Sequence, residues 1–168
     1  IMSHSDDNGL VLPPKLAPVQ VVVVPIYRKE PEKEAVHEAA GQLAAEMRER
    51  GLAVEVDDRE EYKPGHKFFY WEQRGVPVRI EIGPRDVASG KVVLKRRDAA
   101  DKQFIPMTEL AETALAIMDQ MQTELLEAAR QRMADNTVVL DDLDEFRALM
   151  KPVTAEKGGG KFAMVHWC

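Results

Sequence analysis

Apolar and polar positions follow two rhythms along this chain. Residues 19–26 form a β-branched run with almost no polar break. Such a run predicts a strand buried on both faces. Val36, Ala40, Leu43 and Met47 then recur at helical spacing. The helix should open around Glu30-Pro31, where proline suits the first turn, and end at Gly51. Glu32 and Glu34 near its start and Arg48 and Arg50 near its end match the helix dipole. Residues 52–56 read as a second strand. The resulting β-α-β unit implies two parallel strands joined by a right-handed crossover.

Beyond a Pro64-Gly65 loop the pattern predicts a short helix to Arg74 and a strand over 76–82. A turn over 83–86 and a loop over 87–90 follow, then strands over 91–95 and 104–106. Short links around the 91–95 strand imply antiparallel neighbours, so the sheet should be mixed. Thr108 is placed as the N-cap of a long helix. Ala111, Ala114, Leu115, Met118, Met121, Leu125 and Ala129 form its apolar stripe, and Asp135-Asn136 ends it. Residues 141–150 read as a short amphipathic helix, 157–161 as a glycine-rich flexible link, and 162–168 as an apolar, strand-like run. The link is no phosphate-binding loop, since it lacks the GKS/T ending. Residues 1–18 read as a connector held extended by Pro13, Pro14 and Pro18. The fold class is α/β.

Charge adds an asymmetry. The net charge is −6, yet residues 63–102 hold ten Lys and Arg against five Asp and Glu. An acidic protein with one basic section can direct a polyanion there, although a solvated surface explains the same counts. No apolar run reaches membrane-span length, no signal peptide opens the chain, and a single cysteine excludes an internal disulfide framework. A cytoplasmic protein is expected. An opening on Ile1 and an apolar close on Cys168 suggest a fragment.

No complete catalytic constellation is visible. Ser3, His4 and Asp6 are too close in sequence to converge as a triad. His37, His66 and His166 do not assemble with a nucleophile and an orienting group. Cys168 and His166 fall short of the four ligands usual for structural zinc. The densest stretch is 63–86. There Phe68, Phe69 and Trp71 are read mostly as core, Glu72 should point to another face than Trp71, and Arg79 and Arg85 follow. A carboxylate flanked by guanidinium groups fits a surface ion pair worth little. It also fits a reader of guanine, whose Watson–Crick edge offers two N–H donors and an O6 acceptor. On the residues alone the ion pair has the edge.

Residues 9–21, Asp57-Asp58-Arg59, Pro64-Gly65-His66-Lys67-Phe68 with Trp71-Glu72, and the run Gly75-Val76-Pro77-Val78-Arg79-Ile80-Glu81-Ile82-Gly83-Pro84-Arg85-Asp86 together resemble the C-terminal part of the prolyl-tRNA synthetases, in their archaeal- and eukaryote-like form. The resemblance covers essentially the whole chain. It implies that residues 1–18 end a class II catalytic domain and 19–135 form an anticodon-binding domain, a mixed five-stranded sheet with about three helices. Residues 136–168 would begin a small C-terminal domain of the zinc-binding type. It further implies that Glu72, Arg79, Arg85 and Lys102 read the two guanines shared by proline anticodons. Arg96 and Arg97 would contact phosphate, and Cys168 would be the first of several zinc ligands, the others missing. The parent enzyme would be a cytoplasmic homodimer that ligates proline to tRNA using ATP and magnesium. This stretch would supply tRNA recognition with no catalytic residue and no cofactor of its own, be inactive alone, and bind neither DNA nor membrane. Two other readings are an α/β dimerisation or protein-interaction module, and the anticodon domain of a histidyl, threonyl or glycyl enzyme.

Overall fold

The computed structural model describes residues 4–28, 30–151 and 161–166. The chain divides into two compact units, Ile1–Leu125 and Leu126–Cys168. The first is built on a five-stranded sheet of β1 (Val21–Pro25), β2 (Val54–Val56), β3 (Val78–Ile82), β4 (Lys91–Arg96) and β5 (Lys102–Pro106). The strand order is β2-β1-β3-β4-β5. β1 is parallel to both β2 and β3, while β4 is antiparallel to β3 and β5. The mixed sheet expected from link lengths is therefore present.

Every residue of β1 is buried, as its unbroken β-branched run predicts. Its two faces feed different cores. Val21 and Val23 join the main cluster, with Val36, Ala40, Leu43 and Met47 of α1 (Glu30–Glu49) and Leu110, Ala111, Ala114 and Met118 of α4 (Leu110–Asp135). Val22 and Val24 meet Val76, with Phe68 and Trp71 of α2 (Pro64–Gln73) packed against them. Thus α1 and α4 cover one face of the sheet, and α2 covers part of the other.

Two local expectations are corrected. The stretch read as a turn and loop after β3 is a short helix, α3 (Pro84–Ser89). Pro84 presets the first turn, and Asp86 Oδ2 reaches back to accept from the Gly83 N–H at 2.7 Å. Thr108 does not cap α4. A 3-10 turn, Met107–Glu109, runs directly into it, and Leu110 and Ile117 join its buried stripe.

Ahead of the sheet, the chain is zipped to the end of α2. Leu10 N–H donates to the Gln73 carbonyl and Leu12 N–H to that of Gly75. Gly9 (φ 131°) and Gly75 (φ 71°) permit the approach, since a Cβ at either would lie within 3 Å of the opposing segment.

In the second unit, β6 (Thr137–Leu140) and β7 (Phe162–Val165) pair in parallel, with α5 (Leu143–Leu149) between them in sequence. Asp142 caps α5 by accepting from the Asp144 and Glu145 N–H groups. β6 was not anticipated: residues 137–140, between the end of the long helix and the next short one, belong to no element predicted from the sequence. The glycine-rich link, apart from Lys161, lies outside the described residues.

Candidate nucleic-acid interface

The interface is anchored at Asp57, which follows β2 and has a fully buried carboxylate. It accepts from Trp71 Nε1 at 2.7 Å and from Arg59 at 2.6 and 2.9 Å. Lys67, the one buried residue of α2, lies with Nζ 3.8 Å from Asp57 Oδ1 and donates to its backbone carbonyl at 2.8 Å. Burial alone would raise the Asp57 pKa. Hydrogen bonds from Arg59 and Trp71 and the Lys67 charge outweigh it, and the carboxyl is held below its ordinary range. Asp57 thereby fastens α2 to the sheet and fixes which way Glu72 points.

Two of the three aromatics read mostly as core do pack there. Phe68 and Trp71 are half-buried against the smaller core, but Phe69 is 55% exposed. Phe68 and Trp71 are three apart and share a helix face, whereas Phe69 is turned by about 100° from Phe68 and cannot join them. Lys67, Phe68 and Trp71 take the inner face and push Phe69 outward.

From α2 a chain of charges crosses onto the sheet. Arg79 of β3 donates from Nη1 to Glu72 Oε1 at 2.6 Å, and from Nε and Nη2 to Glu81 Oε1 at 3.2 and 3.1 Å. Its guanidinium lies 4.0 Å from the centre of the Phe68 ring. Lys102 of β5 donates to Glu81 Oε2 at 2.8 Å. Arg79 and Glu81 are each only 7% exposed, so this is not the loose surface ion pair considered from the residues alone. Among the described residues, Glu72 Oε2 makes no hydrogen bond and remains an available acceptor.

Strand register explains the grouping. Arg79 faces Lys95 across the β3–β4 pair, and Lys95 faces Lys102 across β4–β5. One step on, Glu81 faces Val93, which faces Phe104. Directly paired residues share a face, so these six side chains form a two-by-three grid on the side away from α1 and α4.

Two clefts flank the charge chain. One, of about 380 Å³, is lined by Glu72, Lys95 and Arg97 with Asp6 and the Asp98–Ala100 turn. The other, of about 450 Å³, is lined by Glu81, Arg85 and Val93 with Tyr27, Arg28 and Glu32. Each combines carboxylates with cations.

Of the residues expected at the site, Glu72, Arg79 and Lys102 are therefore joined in one network. Arg85 lies exposed in α3 at the second cleft. Arg96 pairs with Asp98 and Glu124, and Arg97 with Asp6 at 2.6 Å. Both guanidinium groups are thus already paired with carboxylates in this arrangement. Cys168 lies outside the described residues. Sequence reasoning missed Glu81, Lys95 and Phe104. For Glu81 a signal was present, because alternation in Val78-Arg79-Ile80-Glu81-Ile82 puts Arg79 and Glu81 on one face.

The family model for the "Anticodon binding domain" matches residues 20–117. The chain is 44% identical over 167 residues to the proline–tRNA ligase of Christiangramia forsetii, covering 99% of this chain and 33% of that protein. It is 47% identical to the proline–tRNA ligase of Chloroflexus aggregans, with 99% and 34% covered. Among solved structures it is similar to prolyl-tRNA synthetase from Cryptosporidium parvum complexed with L-proline and AMP. There the TM-score is 0.87 at 36% identity, covering 100% of this chain and 34% of that one. The chain spans about a third of the length of the curated relatives it matches.

Proposed function

The chain belongs to the anticodon-binding domain family and is homologous along its length to proline–tRNA ligases; from that premise we propose that it reads the two guanines of a proline anticodon. The observation that carries the reading is Arg79, held between Glu72 and Glu81 with a cleft on either side. Guanine offers N1–H and N2–H to a carboxylate and O6 and N7 to a cation. The first cleft supplies Glu72, with its free Oε2, beside Lys95. The second supplies Glu81 beside Arg85. Two sites of matching chemistry, bridged by one arginine, suit two adjacent unstacked guanines.

In the same proposal, the whole protein ligates proline to its tRNA with ATP and magnesium. That chemistry belongs to the two thirds of the relatives' length this chain does not match. Action as a homodimer in the cytoplasm, and zinc held by Cys168 with further ligands, are parts of the family expectation carried into this reading.

The test is binding of labelled anticodon stem-loops to the chain. A loop with two guanines should bind more tightly than one with adenines in their place. Glu72→Ala should narrow that preference by about 1–3 kcal/mol. Equal binding of both loops by the wild-type chain would sink the reading.

A further inference from the structure

Phe104 is a large apolar side chain left 69% exposed on an edge strand. It is not an isolated surface residue. Its cross-strand partner is Val93, whose own partner is Glu81, so Phe104 stands on the same sheet face as the charge network. Exposure along that row rises from 7% at Glu81 through half-buried Val93 to Phe104. Lys102, two residues before Phe104 on the same face, links to Glu81, and Val93 also lines the second cleft. The face thus carries an aromatic ring, cations and a cleft wall side by side. That is the composition of surfaces that hold unpaired bases, where a ring stacks on the base and cations meet the backbone.

We infer that Phe104 is a stacking platform for an unpaired RNA base next to the guanine seated in the Glu81–Arg85 cleft. The inference rests on the reading of this face as the anticodon site. A ring stacks on any base, so Phe104 adds affinity without choosing sequence, whereas Glu72 and Arg79 choose guanine. Its exposure also means that replacing it leaves both cores intact.

The experiment uses the full chain and two stem-loops, one with the paired guanines and one with adenines instead, each carrying 2-aminopurine at the neighbouring unpaired position. Phe104→Leu keeps an apolar side chain but removes the ring. It should weaken binding of both loops by a similar factor, about 5- to 150-fold, leave the guanine preference unchanged, and abolish quenching of 2-aminopurine. Phe104→Trp should retain affinity and quenching. Wild-type affinity and quenching in Phe104→Leu, alongside a normal guanine preference, overturn the inference and leave the site reading standing. Self-association that Phe104→Leu abolishes, with RNA binding unchanged, also overturns it, in favour of a protein-docking face. If the wild-type chain shows no guanine preference, the site reading fails instead, and the quenching comparison still decides the role of Phe104.

Discussion

Trp71 Nε1 lies 2.7 Å from Asp57 Oδ2, so an indole on α2 is tied to a carboxylate at the end of β2. The same carboxylate neutralises Arg59 and lies near Lys67. Asp57→Ala leaves Lys67, 6% exposed, without its counter-charge, and should cost about 3–5 kcal/mol in urea unfolding. Asp57→Asn keeps an acceptor for the indole and should cost less. Asp57 also gives the stability a pH dependence. Its folded pKa lies below the unfolded value, so between the two the unfolded chain binds the extra proton. Its contribution is full above about pH 4–5 and is lost as pH falls through the folded pKa. Urea midpoints measured from pH 7 down to pH 3 should therefore drop less steeply in Asp57→Asn than in wild type.

Arg79 bridges two carboxylates because its planar fork presents donors on two edges. Lysine carries the same charge on a single point and cannot span Glu72 and Glu81 together. Arg79→Lys should thus lose about 1–3 kcal/mol of discrimination between the guanine and adenine loops. Thermal unfolding alongside stem-loop titration separates this from simple destabilisation. Discrimination equal to wild type would show that the bridge does not position Glu72.

Much of this was legible in the sequence, and what was not has a common cause. The valines of β1 announce themselves because burial on both faces leaves no polar break, and the stripe of α1 because burial on one side imposes a 3.6-residue period. Glu72, Arg79, Arg85 and Lys102 came from the resemblance. What they touch did not, because a partner's place depends on how distant strands pair. Asp6 and Arg97 meet across 91 residues, and nothing in either neighbourhood signals it. Phe104 follows the same logic. Its sequence neighbours read as a short terminal strand, and only the register against Val93 and Glu81 reveals its face.

Gly75 sets how the leading segment meets α2. Its φ of 71° is strained for an L-residue, and a Cβ there would sit 2.8 Å from Leu10 Cβ and 2.9 Å from the Leu10 backbone. Gly75→Ala should destabilise the chain by about 2 kcal/mol, from the left-handed backbone and the forced separation together. Because the zipper to residues 10–12 opens first, limited proteolysis should cut that segment faster than in wild type. Gly41, whose added Cβ would meet nothing within 4 Å, is the control and should tolerate alanine.

Arg85 and Arg97 are both arginines beside a cleft, yet they should answer salt differently. Phosphate contacts release counterions, and each contact to a single strand contributes about 0.7 to the slope of log K against log salt. Arg85 is exposed and, among the described residues, joins no ion pair, so its charge is available to the RNA backbone as well as to a base. The Arg97 side chain is only 5% exposed, pairs with Asp6 and donates to the Glu72 carbonyl. Its charge is already met, and its role in this arrangement is to hold the leading turn and the end of α2. Arg85→Ala should therefore lower the magnitude of the salt slope by about 0.7 with little change in thermal stability. Arg97→Ala should leave the slope unchanged and lower the melting temperature. A reduced slope in Arg97→Ala would mean that RNA displaces Asp6, making Arg97 a phosphate contact after all.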